Sequence, residues 1–170
     1  MAVTLHTTRG PLKLELECEQ CPIASKNFLA LCASGFYNGV VFHRVIPRLL
    51  VQGGSDPHGV GTVNKSIYGA PFEDEAPPSG GELLVRLAHR GVLATASAAP
   101  DQNGSQFLIT LGALPGTAGV GTVFGRVIDG WETLQRIESS DTDPEVDRPV
   151  APIAIESVTI HANPFAEMTQ

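Results

Sequence analysis

Phe42-His43-Arg44-Val45-Ile46-Pro47 runs through Arg48-Leu49-Leu50 into Val51-Gln52-Gly53-Gly54. Short apolar, β-branched runs broken by Gly and Pro read as strands joined by tight turns, not as helix. Successive side chains on a strand face opposite ways. Arg44 and Gln52, on consecutive strands, therefore fall on one face. His43 falls on the other, as a structural residue and not as an acid or base.

The chain upstream alternates in the same way. Val3-Thr4-Leu5-His6-Thr7 and Leu12-Lys13-Leu14-Glu15-Leu16 flank Arg9-Gly10-Pro11, which predicts an antiparallel hairpin. The period then changes. Pro22 suits a first helical position, Ala24, Phe28, Leu31 and Cys32 recur at helical spacing, and Gly35 stops the run. Downstream, strand-like runs recur at Gly91–Thr95, Phe107–Leu111 and Thr122–Ile128. Asp129-Gly130 opens a second helix, predicted over Trp131–Ser139, with Trp131, Leu134 and Ile137 on one apolar face. That face makes Trp131 a core residue. A last strand is expected over Ile153–Ile160, and the tail from His161 to Gln170 has no periodicity. Many short strands with two helices predict a mainly β fold, an antiparallel barrel plugged by helices, in a single domain spanning 1–170 with a short tail at about 161–170.

Composition narrows the function classes. Of 170 residues 42% are hydrophobic and 17% charged, so the chain is globular. The net charge of −7 and the scatter of the 11 basic residues argue against direct nucleic-acid binding, which needs clustered Lys and Arg. No run reaches membrane-span length, and the Met1–Leu5 start has no secretory pattern. Cys18, Cys21 and Cys32 are an odd set in a chain too large to need disulfide staples, which implies a reducing compartment. The Cys18/Cys21 pair lacks a second ligand pair, and the glycines lack phosphate-loop spacing. Glu73, Asp74 and Glu75 read as a surface run. No metal and no cofactor are expected.

Several further stretches recur in one order with the opening motif. These are Lys65-Ser66-Ile67-Tyr68-Gly69, Phe72-Glu73-Asp74-Glu75, Gln102-Asn103-Gly104-Ser105-Gln106-Phe107-Leu108-Ile109-Thr110 and Val123-Phe124-Gly125-Arg126-Val127-Ile128-Asp129-Gly130. Their order and spacing resemble the cyclophilin family of peptidyl-prolyl cis-trans isomerases from end to end. The ends of the chain and the stretch Asn27–Ser34, which ends the helix predicted over Pro22–Ser34, resemble the short, spliceosome-associated, isomerase-like branch of that family. The resemblance implies a closed eight-stranded antiparallel barrel capped by two α-helices. It also implies proline-containing peptides or proteins as substrates, spliceosomal proteins as partners, a monomer, and a nuclear or cytoplasmic location.

It carries residue roles as well. Arg44 would be the catalytic cation and Gln52 its orienting amide. Leu49, Leu50, Ala96, Ser97, Gln106, Leu108, Thr117 and Gly121 would line the substrate pocket. Several of these depart from the family, where aromatic residues wall the proline pocket at the places of Leu49 and Leu108. The bulky residues of the following loop are replaced by Thr117 and Gly121. Gly116 stands where cyclosporin-sensitive members carry tryptophan. Arg44 is kept while its pocket is altered, which implies an isomerase of reduced activity and low cyclosporin sensitivity. The alternative is a weakly catalytic module that binds a proline segment or docks in a spliceosomal assembly.

Overall fold

The structure is a computed structural model, and it describes residues 1–57, 61–75 and 80–161. The tail beyond residue 161 lies outside the described residues. Among the described residues ten strands and three helices follow in chain order: β1 (Ala2–Thr7), β2 (Gly10–Leu16), α1 (Pro22–Ala33), β3 (Phe42–Ile46), β4 (Leu50–Gly53), α2 (Gly80–Arg86), β5 (Val92–Ala96), β6 (Phe107–Thr110), β7 (Val120–Asp129), α3 (Trp131–Glu138), β8 (Thr142–Asp143), β9 (Arg148–Pro149) and β10 (Ile155–Ile160).

Eight of the strands form one antiparallel sheet in the order β10-β1-β2-β7-β5-β6-β4-β3. Its register follows from alternation. Val3 lies opposite Leu14 and Leu5 opposite Leu12, and all four side chains are buried. The sheet curls into a half-barrel, so the expected closed barrel overstates the pairing. The terminal strands β3 and β10 share no ladder. The gap is spanned by one isolated bridge, Val41 to Ala154, and by backbone bonds such as Phe42 N–H to Ile153 O at 2.9 Å. The free side of β3 is covered by the β8–β9 hairpin, with Val45 N–H donating to Asp147 O at 2.7 Å.

Helix α1 fills the half-barrel. Its Phe28 meets Tyr37, Phe107 and Phe124 with ring centroids 5.3–5.5 Å apart, within the range favourable for aromatic pairs. Seven residues of α1 are buried, and its first amides need partners because a first turn has none within the helix. Cys21, at the N-cap, offers no side-chain bond, and Pro22 needs none. The carboxylate of Glu75 takes over, accepting from Ile23 N–H at 3.0 Å and from Ala24 N–H at 2.8 Å. An anion at a helix N-terminus is favourable both by hydrogen bonding and by the helix dipole. One member of the surface acidic run is thus a cap.

Two helical expectations change. Helix α2 was not foreseen: it is short, opens on Gly80-Gly81, and sets Leu87 and Leu83 on a second apolar cluster with Leu50, Val92, Ala94, Ala96, Leu108 and Val123. Trp131 is not core. It is the first residue of α3, it stays 42% exposed, and its ring leans on Gly91 while Thr133, Leu134 and Ile137 make the buried face. A residue in a first turn overhangs the end of the face it shares with Leu134 and Ile137.

The three cysteines are free thiols. Burial, with help from the Glu75 and Glu17 charges, pushes the Cys21 pKa up to about 12, and Cys21 Sγ donates to Val123 O at 3.2 Å.

The cap supplies a stability test. Glu75→Ala is expected to cost about 1–2 kcal/mol in urea unfolding, while exposed Glu73→Ala should cost less than about 0.5 kcal/mol.

Candidate active site

One face of the sheet carries a row of directly opposed residues. Arg44 on β3 pairs with Gln52 on β4, Gln52 with Leu108 on β6, and Leu108 with Ala94 on β5. The neighbouring row is Val45, Val51, Ile109 and Leu93, in the same pairing, and all four are at most 1% exposed. Core and groove are thus alternate rows of the same four strands.

The groove row grades from wet to dry. Arg44 is exposed, Gln52 half-buried, and Leu108 fully covered. The groove holds about 410 Å³, and its walls are Arg44, Leu50, Gln52, Gly61, Thr62, Asn64, Ala96, Ser97, Ala98, Gln106, Leu108, Ala118 and Gly119. That volume lies in the range of small-ligand sites. Seven of the ten residues expected at the site therefore meet in one groove: Arg44, Gln52, Leu50, Ala96, Ser97, Gln106 and Leu108.

Three do not. Leu49 sits in the turn between β3 and β4, its N–H bonded to Ile46 O at 3.0 Å, and its side chain packs on the second apolar cluster. Thr117 is exposed on a turn in which Val120 N–H donates to Thr117 O at 3.1 Å. This turn brings Ala118 and Gly119 to the groove instead, and Ser97 N–H holds Gly119 O at 2.9 Å. Gly121 lies beneath the wall. A Cβ there would stand 1.9 Å from Asn103 Oδ1 and 2.5 Å from Thr95 Oγ1, so nothing larger than glycine fits. The walls missed by sequence reading, Gly61, Thr62, Asn64, Ala98, Ala118 and Gly119, all lie outside the strands and carry no periodic signal.

A chain of amides organises the polar side. Arg44 Nη1 donates to Gln52 Oε1 at 3.4 Å, a long contact that leaves the guanidinium free to turn. Gln52 Nε2 donates to Gln106 Oε1 at 3.0 Å. Gln106 is itself 9% exposed, as a polar group that has its partners can be. No carboxylate among the described residues forms an ion pair with Arg44; the ion pairs among them are Arg86–Glu17, Arg90–Glu138 and Arg126–Glu15.

His43 stays out of the groove walls, as its strand position predicts, and its ring lies against Gly61. Burial, and then the charges of Arg148 and Arg44, hold its pKa below the ordinary histidine value, against an opposing pull from Asp56. The shift favours its neutral form.

A larger concavity of about 700 Å³ lies beside α3, with Arg9, Arg136, Asp141 and Val150 among its walls. It contains none of the residues that the motifs single out.

Three comparisons place the chain. The family model for cyclophilin type peptidyl-prolyl cis-trans isomerase/CLD matches residues 2–160. Peptidyl-prolyl cis-trans isomerase CYP18-1 of Arabidopsis thaliana is 48% identical over 168 residues, covering 98% of this chain and 99% of its own. Human peptidyl-prolyl cis-trans isomerase-like 3 is 48% identical over 167 residues, covering 98% of this chain and 100% of its own. Among solved structures, a cyclophilin type peptidyl-prolyl cis-trans isomerase of Cryptosporidium parvum, crystallised with the dipeptide Ala-Pro, superposes with a TM-score of 0.86 at 45% identity. The match covers 96% of this chain and 100% of that one. These similarities run the length of the fold that carries the Arg44 groove, and the chain belongs to the cyclophilin-type peptidyl-prolyl cis-trans isomerases.

Proposed function

We propose that the groove isomerises X–Pro bonds of peptides and proteins with Arg44 as its catalytic cation, at reduced activity and with low sensitivity to cyclosporin. The observation that carries this reading is an exposed guanidinium on the wall of a groove that also holds Leu50 and Leu108, bonded to one amide and, among the described residues, to no carboxylate.

The chemistry asks for little else. Rotation about the amide is slow because it breaks resonance, at a barrier of about 18–20 kcal/mol. As the bond twists, the proline nitrogen becomes pyramidal and gains a lone pair. A donor aimed at that nitrogen binds the twisted form better than either planar one, which is selective transition-state stabilisation. Arginine stays charged and presents a rigid fork, so it needs no proton shuttle and no covalent step. Gln52 orients it and reaches the peptide backbone. Leu50 and Leu108 seat the proline ring, and Ala96, Ser97 and Gln106 flank the backbone.

The same walls support reduced activity. Apart from the two leucines the apolar wall is built of Ala96, Ala98, Ala118 and Gly119, which offer little area. Losing one or two large walls is worth about 1–3 kcal/mol of binding. The weakness should appear in KM more than in kcat. As to the drug, Gly116 stands in open space, with nothing within 4 Å of where a Cβ would be, and Trp131 is occupied on α3 against Gly91.

A second reading is favoured by the shallow wall together with exposed Val146 and Val150 around the β8–β9 hairpin. In it the chain is a monomeric, weakly catalytic module. It docks on a proline segment or within a spliceosomal assembly, in the nucleus or cytoplasm. A protease-coupled assay on a proline tetrapeptide separates the two. Binding of the peptide without acceleration would favour the module.

Three outcomes are expected for the enzyme. Arg44→Ala should lower kcat/KM at least about tenfold with the fold intact, and parent-level activity in that variant would refute the mechanism. The rate, read by magnetisation exchange, should stay flat from about pH 6.5 to 9, because none of the described groove walls is a histidine, cysteine or carboxylate; a bell-shaped profile would point to acid–base catalysis. Cyclosporin should bind at least about a hundredfold more weakly than to sensitive cyclophilins, about 2.7 kcal/mol, and Gly116→Trp should recover part of that; a nanomolar dissociation constant by calorimetry contradicts it.

A further inference from the structure

The amide of Gln106 has both of its N–H groups committed. Its Nε2 donates to Gly61 O at 3.0 Å and to Val63 O at 2.9 Å. Only Oε1 is then left to face Gln52, and it accepts from Gln52 Nε2 at 3.0 Å. Gln52 must therefore turn Oε1, an acceptor, toward Arg44 Nη1. If the Gln106 amide were reversed, two NH₂ groups would oppose each other unless Gln52 also flipped, and a flipped Gln52 would turn a donor toward the cation. Two backbone carbonyls of the 61–63 segment thus decide, at two amides' remove, what the guanidinium sees.

That segment has little apolar anchorage: Thr62, Val63, Asn64 and Lys65 are all exposed. Polar bonds hold it. Val63 N–H donates to Ser55 Oγ at 3.0 Å, and Lys65 N–H to Ser105 Oγ at 3.0 Å. Between these, Asn64 joins the segment to the entry of β6 by both ends of its side chain. Its Oδ1 accepts from Gln106 N–H at 2.9 Å, and its Nδ2 donates to Gln102 O at 3.3 Å. Gly104 permits the approach: a Cβ there would lie 2.5 Å from Asn64 O and 2.6 Å from Asn64 Oδ1.

We infer that Asn64 is a positioning residue for Arg44, acting by holding the Gly61 and Val63 carbonyls on Gln106 so that Gln52 presents an acceptor to the guanidinium. The inference rests on the groove being the isomerase site. Asn64 leaves the apolar walls Leu50 and Leu108 untouched, so its loss should misaim the cation without emptying the proline seat.

The test compares Asn64→Ala, Asn64→Asp and Gly104→Ala with the parent by two readouts. These are kcat and KM from magnetisation exchange on a proline tetrapeptide, and the side-chain amide resonances of Gln52 and Gln106. Asn64→Ala should lower kcat about fivefold while KM stays within about twofold, because a misaimed group costs turnover out of proportion to binding. Its Gln52 and Gln106 side-chain amides should shift. Asn64→Asp keeps the acceptor for Gln106 N–H and should recover at least about half of kcat together with the parent resonances. Gly104→Ala displaces the same segment from below and should repeat the Asn64→Ala pattern, which keeps the question open to test if Asn64→Ala folds poorly. Unmoved amide resonances with parent kcat in Asn64→Ala would overturn the inference. So would a change in KM alone, or an Asn64→Asp as impaired as Asn64→Ala. A parent without isomerase activity would refute the enzymatic reading, and the resonances would still decide whether Asn64 sets the amide chain.

Discussion

The pairing of Arg44 with Gln52 across β3 and β4 is the constraint on which the site depends. A strand has two faces, and a one-residue slip exchanges them. Register here is secured from the buried side: Val45, Val51, Ile109 and Leu93 form a row with almost no exposure, and a one-residue slip of β3, β4 or β6 in one direction would put Arg44, Gln52 or Thr110 into it. The hydrophobic effect on one face thus fixes the place of a cation on the other. The ladder shifts between Phe42 and Arg44, and His43 is taken up at that irregularity, half-buried beside Gly61.

The groove is cut into the edge of a second apolar cluster and is not separate from it. Leu50, Ala96 and Leu108 belong both to the walls and to that cluster, which Leu83 of α2 and Leu87 just beyond it cover. The depth of the seat is therefore set by packing several layers below it. Its polar rim obeys a different rule. Arg44, Gln52 and Gln106 are linked by amides and held by backbone carbonyls, so their arrangement depends on hydrogen-bond direction and not on area.

Much of this could be read before the fold was seen, where local pattern and tertiary demand agree. The β1–β2 alternation, the helix opening at Pro22 and the shared face of Arg44 and Gln52 all belong to short, periodic segments. The misreadings fall where position depends on contacts distant in sequence. Leu49 adjoins a groove residue yet turns to the second cluster. Thr117 and Gly121 lie in a glycine-rich stretch whose turn sends the first outward and presses the second against Asn103, so Ala118 and Gly119 take the wall. Trp131 fits a helical stripe but begins its helix, beyond the end of the buried face. Helix α2 begins with two glycines, which carry no helix signal. The closure of the barrel rests on one bridge and a few backbone bonds around Val41 and Ala154, which no run of residues announces.

Strand β1 lies between β2 and β10, with Val3 opposite Leu14 on one side and opposite Ile160 on the other. During synthesis the first partner is made at once and the second only after β3 to β9. Until then the β1–β2 hairpin presents a free row of amides and carbonyls along β1 beside Val3 and Leu5, side chains that end wholly buried. Such an edge is a template for pairing with another chain. Low contact order cannot protect it, because the strand that seals it arrives from the far end of the domain. The nascent chain must keep that edge from other strands until Ile155–Ile160 has cleared the ribosome, which makes the hairpin's safety depend on a strand more than a hundred residues away.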